Sequence, residues 1–511
     1  MFKNQPKGLI PAALSNMGER FGYYIMNAVL VLFLCSKFGL SEETSALVYS
    51  FFYAGIYLFG LVGGTIADRT QNYKGTIING LIIMSLGYVI LSIPVLSTSD
   101  NISWLLPLTC FALFLIAFGN GLFKGNLAAI VGQLYDNPKY ADKRDSGFQI
   151  FYVFINIGGI FAPLIAPMLR SWWLGVHNMT YNAKLPALAH EFLNNSSVTD
   201  SMNEENMNNL YALITATGGD ASGDIAAYCT QYLDVFNTGI HYSFIASVCA
   251  MILSLVIFLA YKKGLPTPVA KVKEEATKLS DAERKAMATE IKQRMLALFA
   301  VLGIVIFFWF SFHQNGTSLS LFARDFVKTD SIAPEVWQSI NPFFVVILTP
   351  VVMWVFTALS RKGIEISTPK KIGIGMGIAG MAFLFLALFS SAMGYPSADT
   401  FRALPVAEQS SMLAGPWVLI LLYFFLTVAE LFISPLGLSF VSKVAPSHLQ
   451  GLCQGLWLGA TALGNLLLWI GPLMYNAWPL WMCWTVFLVV CLVSMAVMFA
   501  MVKWLERVTQ A

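Results

Sequence analysis

The chain has 511 residues, of which 57% are hydrophobic and only 12% are charged, and its formal net charge is +3. That charged share is about half of what a soluble domain carries, so a water-soluble fold would lack the polar surface to cover itself. A charge of +3 gives no reason to expect a nucleic-acid partner. What remains is an all-α polytopic membrane protein, in which apolar runs of about 20 residues, the length that crosses a bilayer, recur from end to end.

The polar segment 1–8 leads into the first expected span, Ala13–Cys35. No small-residue cleavage site follows it, so no removable signal peptide is expected. Inside this span lies Glu19-Arg20-Phe21-Gly22-Tyr23-Tyr24. A charge at the bilayer centre costs roughly 2.5–3.5 kcal/mol even on the lenient insertion scale and is seldom kept without a use. Glu19, Arg20 and Tyr23 share one helical face, and Asn16 extends it by a turn. A polar stripe of this kind implies an aqueous cavity rather than lipid.

Five more spans follow: Ser45–Ile66, Thr76–Leu96, Trp104–Val131, Phe148–Leu169 and Ile240–Ala260. The second set runs Met295–Leu321, Ile340–Leu359, Ile372–Ser391, Trp417–Ser439, Leu452–Met474 and Trp481–Trp504. The plan is six plus six. Residues 1–262 form an N-terminal six-helix bundle with an exterior insertion at 172–239. Residues 263–294 form a cytoplasmic linker with an amphipathic helical stretch, Asp281–Arg294, and 295–511 form the C-terminal bundle.

Basic residues set the orientation. With both termini cytoplasmic, the exterior loops hold only Lys37, Arg170, Lys184, Arg324, Lys328 and Arg402. Arg20 and Lys124 lie in the membrane, and the other 23 of the 31 basic residues are cytoplasmic. The acids inside spans are Glu19 and Glu430, so the intramembrane charge balances, as a paired buried network requires. The seven cysteines contain no CxxC, which supports neither a zinc site nor a disulfide framework. No HExxH, GxSxG or paired-Asp signature marks an enzyme.

Three further features stand out inside the spans. Lys124 sits in Gly119-Asn-Gly121-Leu-Phe-Lys124-Gly-Asn126, where glycines allow close helix approach. Asn156 lies in Phe151-Tyr152-Val-Phe-Ile-Asn156-Ile-Gly158-Gly159. Glu430 is a lone carboxylate in Leu426-Thr-Val-Ala-Glu430-Leu-Phe-Ile-Ser434-Pro435.

Together these segments resemble the proton-dependent oligopeptide transporters, the peptide transporter family of the major facilitator superfamily, from about Leu9 to Met501. Glu19 to Tyr24 is similar to the latter part of the family's ExxERFxYY motif, and Phe151 to Gly159 to its FYxxINxGS signature. Gly63-Gly64-Thr-Ile-Ala67-Asp68-Arg69 resembles the loop joining spans two and three. Gln338-Ser-Ile-Asn341-Pro342 also matches a family segment. The resemblance implies a major facilitator fold of twelve helices and import of di- and tripeptides by proton symport. No cofactor beyond the coupling proton is implied, and the setting is the plasma or inner membrane, as a monomer in the bilayer.

It also implies roles. Arg20 and Lys124 would attract the peptide's carboxylate, and Glu430, with Ser434 a turn away, would receive its amino group. Asn156 and Asn341 would bond its backbone. Tyr23, Tyr24, Tyr57 and Trp309 would line side-chain pockets. Glu19 would exchange the proton, with His313 also placed for coupling. Asp68 and Arg69 would form a gating latch.

The sequence departs from the family pattern at Asn16, where a second glutamate is expected, and at His313, where bacterial members carry a carboxylate. Those departures motivate an alternative, a weakly coupled or proton-independent facilitator of another zwitterion, organic anion or peptide conjugate. A receptor that binds without transport is a further alternative, but the chain has no cytoplasmic signalling domain.

Overall fold

Inside a bilayer the backbone has no water to bond, so each apolar run satisfies its own N–H and C=O groups as a helix. A computed structural model describes residues 4–40, 42–98, 100–182, 185–195, 204–266, 281–328, 339–402, 404, 406–446 and 448–510. Twelve helical segments among them are long and apolar enough to span a membrane. The first half comprises α1 (Leu9–Phe38), α2 (Glu42–Thr70), α3 (Tyr73–Ser92), α4 (Ile102–Gln133), α5 (Arg144–Val176), the short α6 (Leu185–Asn195) and α7 (Glu204–Ala216), and α8 (Ile225–Tyr261). The second half comprises α9 (Asp281–Phe312), α10 (Ser318–Phe326), α11 (Ile340–Arg361), α12 (Thr368–Ala392), α13 (Ala398–Arg402), α14 (Val406–Met412), α15 (Trp417–Val444), α16 (Gln450–Leu466), α17 (Ile470–Ala477) and α18 (Leu480–Gln510).

Each half packs around its own apolar core. Phe33, Tyr88 and Phe123 sit in the first, and Phe383, Tyr475 and Trp484 in the second. Large apolar side chains such as Phe51, Met168 and Trp354 point outward, the arrangement lipid favours. All seven cysteines are free thiols.

Several helices differ from the sequence expectation. The sixth span begins at Ile225, not Ile240, because Asp224 caps it by accepting the Ala227 N–H at 3.0 Å. Part of the expected exterior insertion is therefore helix α6, helix α7 and the first turns of α8, while 183–184 and 196–203, including Lys184, lie outside the described residues. The amphipathic stretch Asp281–Arg294 is no separate element. It forms the first turns of α9, which runs unbroken across the expected linker boundary. The linker residues 267–280 lie outside the described residues.

The seventh span ends at Phe312 in a 3-10 turn, His313–Gly316, before α10. The eleventh breaks after Leu466 and restarts as α17, with Pro472 in its first turn, where the missing N–H costs least. Lys37 and Arg170, counted as exterior from sequence, are instead buried within α1 and α5.

The first and last described segments, near Gln5 and Glu506, lie at one end of the molecule. Tyr135 Oη donates to Gln5 Oε1 at 2.6 Å, and Glu506 accepts from Ser367 at 2.6 Å and pairs with Lys370 at 2.8 Å. At this end the two halves meet, with α2 against α16. A Cβ on Gly64 would stand 2.3 Å from the Gly451 carbonyl oxygen. Gly64→Ala is therefore expected to push α2 off α16 at a cost of about 1–3 kcal/mol, read as a lower melting temperature in detergent. An unchanged melting temperature would show that this contact adds little.

Candidate functional site

A cavity of about 250 Å³ opens between the halves. Its lining comes from the inner faces of α1, α2, α4 and α5 on one side, and α9, α15 and α16 on the other. Asn16, Arg20, Tyr23, Tyr24, Tyr57, Lys124, Trp309, His313, Glu430 and Ser434 all line it, as the stripe on the first span implied. Glu19, Asn156 and Asn341 do not line it.

Glu19 lies behind Arg20. The guanidinium grips it with two bonds, Nε to Oε2 and Nη2 to Oε1, both 2.6 Å. Asn120 on α4 donates to the same carboxylate at 2.6 Å. Both charges are almost fully buried, Glu19 at 1% and Arg20 at 4% exposure. Their bidentate geometry offsets part of the large desolvation cost of burying two ions. The outer face of Arg20 rests on the Tyr23 ring, 4.4 Å from its centroid.

Lys124 is different. Among the described residues no carboxylate comes within 4.0 Å of its ammonium. The nitrogen instead sits 4.8 Å from the centre of the Tyr57 ring, a cation–π contact. The expected four-charge network is thus one tight pair plus two separate charges, Lys124 and Glu430, on opposite halves. An ammonium that faces a cavity with no counter-ion is suited to take one from a ligand.

Glu430 is held by neutral donors. Tyr152 Oη on α5 donates to its Oε1 across the interface between the halves. Asn341 Nδ2 donates to Oε2 at 2.7 Å and to Thr427 Oγ1 at 3.1 Å. Asn341 therefore orients the carboxylate rather than facing the cavity. Asn156 donates to its own helix, to the Tyr152 carbonyl at 2.9 Å, so the peptide-backbone contact expected of it has no support from its position. The neighbouring Gln338 lies outside the described residues.

His313 follows the end of α9. Its Nδ1 donates to Asn465 Oδ1, and its ring stacks on Trp309 at 4.8 Å and 22°. The Trp309 Nε1–H has no partner among the described residues and is buried at the cavity wall.

At the end that holds Gln5 and Glu506 the cavity is closed by bonds between halves. Asp68 Oδ1 and Oδ2 accept the Gly451 and Leu452 N–H groups at 3.0 and 2.7 Å. A carboxylate from the first half thus caps the N-terminus of α16, where unpaired amides and the helix dipole favour an anion. Tyr73 Oη donates to the same carboxylate. Arg69, the other expected latch residue, is exposed. Asp145, at the start of α5, takes Lys443 at 2.7 Å, Lys371 at 2.8 Å and Ser439 Oγ at 2.6 Å. Arg144 donates to the Ser442 carbonyl at 2.9 Å.

Tyr152 and Asn120 lie within the quoted motifs but had no role assigned to them, and neither Asn465 nor the Asp145 cluster was marked by any sequence pattern. Tyr49 and Tyr53 also line the cavity. Their spacing with Tyr57, every four residues on α2, is a signal that would have found them. The partners of Asp145 come from two distant helices, α12 and α15, and no local pattern carries that information.

Two helical bundles around one central cavity, with isolated charges contributed from each side and a closed end beneath, define a membrane transporter of the major facilitator fold. A sequence profile of the POT family matches residues 74–269 and 268–477, and the chain belongs to that family. It is 28% identical over 461 residues to dipeptide and tripeptide permease B of Shigella dysenteriae, covering 88% of this chain and 83% of that protein. It is 28% identical over 475 residues to the permease of the same name from Salmonella typhimurium, with 91% and 86% covered.

Among solved structures, a peptide transporter POT in complex with sulfate superposes with a TM-score of 0.60 at 22% identity, covering 99% of this chain and 96% of that one. A POT family transporter in complex with a thioalcohol-conjugated peptide gives 0.60 at 20%, covering 99% and 98%. These relatives are transporters, not enzymes.

Proposed function

We propose that this protein imports di- and tripeptides by proton-coupled alternating access, working as a monomer in the cell membrane with both termini in the cytoplasm. The observation that carries this reading is the pair of separated charges on opposite halves, Lys124 with no carboxylate partner among the described residues and Glu430 held by neutral donors. A short zwitterion supplies the missing partner to each. Its carboxylate goes to Lys124 and the free face of Arg20, and its amino group to Glu430 and Ser434. Tyr23, Tyr24, Tyr57 and Trp309 provide rings for side chains. The permease names of the relatives point the same way.

Because the charges sit on different halves, a bound peptide joins them and favours rearrangement about the site. The closed end then releases its grip at Asp68 and Asp145, and Asp68 with Arg69 acts as the cytoplasmic gate. The proton is the coupling ion. Protonation of Glu19 removes its charge from Arg20 and frees the guanidinium for substrate, and His313 beside Trp309 is a second candidate for exchange.

The test is uptake of labelled dialanine by purified protein in liposomes. Accumulation driven by an inward proton gradient is expected. A second reading, a facilitator without coupling, is favoured by Asn16 and His313 at the cavity wall, neither of which is a carboxylate. Counterflow with no accumulation would replace the first reading by the second. Absence of any flux, together with flux of another zwitterion, would move the substrate away from peptides.

A further inference from the structure

Lys37 stands in the last turn of α1, one residue from its end. A lysine there has the reach to send its ammonium into water, as such side chains normally do. Instead it turns inward and is only 4% exposed. It is not needed to cap the helix. The Ser36 carbonyl already accepts from Asn237 Nδ2 at 3.0 Å and from the His190 ring at 2.7 Å, and the Gly39 N–H closes onto Cys35.

The ammonium meets His241 Nε2 at 2.9 Å. The other ring nitrogen, Nδ1, lies 2.6 Å from the Leu91 carbonyl oxygen. A carbonyl only accepts, so Nδ1 carries the proton and Nε2 offers its lone pair to Lys37. The partner is therefore neutral, and among the described residues no carboxylate lies within 4.0 Å. Among the described residues this buried cation has no counter-charge, which is costly in a membrane protein.

Two hollows share Lys37 as a lining residue. One is a cleft of about 170 Å³ lined by Lys37 and by apolar groups that include Phe33, Ile90, Leu91, Trp104, Leu105 and Leu108. Its rim faces the surround of the bundle, where Trp104 is 51% and Leu108 37% exposed. The other is a small polar notch between Lys37, Ser97, Asp234 and His241. The exposed Asp234 carboxylate guards the notch, so an anion arriving from water meets a like charge. An anion arriving along the cleft meets a wall that is apolar apart from the Thr109 hydroxyl, and then the ammonium.

We propose that this cleft holds an anionic phospholipid, with an acyl chain against Phe33, Leu105 and Leu108 and the headgroup phosphate at Lys37, in the leaflet opposite Gln5 and Glu506. The charge of Lys37 selects the headgroup, and the apolar wall excludes a free anion. His241 positions the ammonium and takes no charge itself.

The test uses the full chain purified in detergent, delipidated and titrated with phosphatidylglycerol, with phosphatidylcholine of the same chains, and with inorganic phosphate. Lipid retention is read by native mass spectrometry and melting temperature by intrinsic fluorescence. Phosphatidylglycerol is expected to be retained and to raise the melting temperature, with the other two ligands giving little. Lys37→Gln should weaken phosphatidylglycerol retention about fivefold, the worth of one basic residue toward an anionic lipid, while Lys37→Arg restores it. Leu108→Trp fills the cleft with the lysine intact and should lower retention too, which keeps the proposal testable if Lys37→Gln folds poorly. Equal retention of phosphatidylcholine, an equal response to inorganic phosphate, or undiminished phosphatidylglycerol binding in Leu108→Trp would each overturn the proposal.

Discussion

Glu430→Gln is expected to lower uptake of dialanine by about 100-fold, the scale of losing one partner of a desolvated charged contact, about 3 kcal/mol. The glutamine keeps the shape and still bonds to Tyr152 and Asn341, so the cavity wall and the folded protein should survive. What disappears is the only negative charge among the cavity-lining residues, and with it the attraction for a peptide's amino group. N-acetylated dialanine, which has no such group, should lose much less than dialanine does. The ratio of the two uptake rates is the informative measurement. If the variant carries dialanine at the original rate, Glu430 does not receive the amine, and the charge-pair account of the site fails.

The second large effect concerns Glu19, and two substitutions separate its roles. Glu19→Ala strands the Arg20 guanidinium in a site where both partners are almost wholly buried, and should cost about 3–5 kcal/mol, read as a large fall in melting temperature. Glu19→Gln keeps an acceptor for Arg20 and for Asn120 but fixes the site in a state equivalent to protonated. It should preserve counterflow of peptide while abolishing accumulation driven by a proton gradient. Accumulation equal to that of the unsubstituted protein would rule Glu19 out as the coupling site and direct attention to His313.

Much of the architecture was legible from sequence because a bilayer leaves few choices. Each apolar run of sufficient length must be a helix, and the twelve spans appear in the expected order. Their ends were harder to place. The α8 helix extends back into the expected exterior insertion, because an Asp224 cap and the burial of Cys229, Tyr232, Leu233 and Phe236 stabilise turns in which polar residues interrupt the apolar run. Conversely, the break between α16 and α17 falls inside a run that reads as one continuous span. Hydropathy measures the solvent a segment prefers, and it is blind to caps, to proline placement and to tertiary support.

The candidate site shows the same division. Residue types that are expensive in a membrane announced themselves, and Arg20, Lys124 and Glu430 do line one cavity. Asn341 and Asn156 carry amides in equally apolar contexts, yet one props up Glu430 and the other bonds its own helix. An amide in the membrane must be satisfied, but its identity does not say by what. Lys37 was read as a loop residue, since the sequence gives no hint that α1 continues and that His241, on a distant helix, waits beside it.

By itself the sequence determined the number and order of the spans, and that Glu19, Arg20, Lys124 and Glu430 had to be buried, because each follows from the cost of placing particular residues in hydrocarbon; its motifs pointed to the family. Only the tertiary structure decided how those charges divide. Glu19 and Arg20 are sealed together, Lys124 and Glu430 face each other's half without pairing, and Asp68 and Asp145 hold one end shut. Pairing depends on distances between helices far apart in the chain, and those distances are fixed by close contacts such as Gly64 against Gly451.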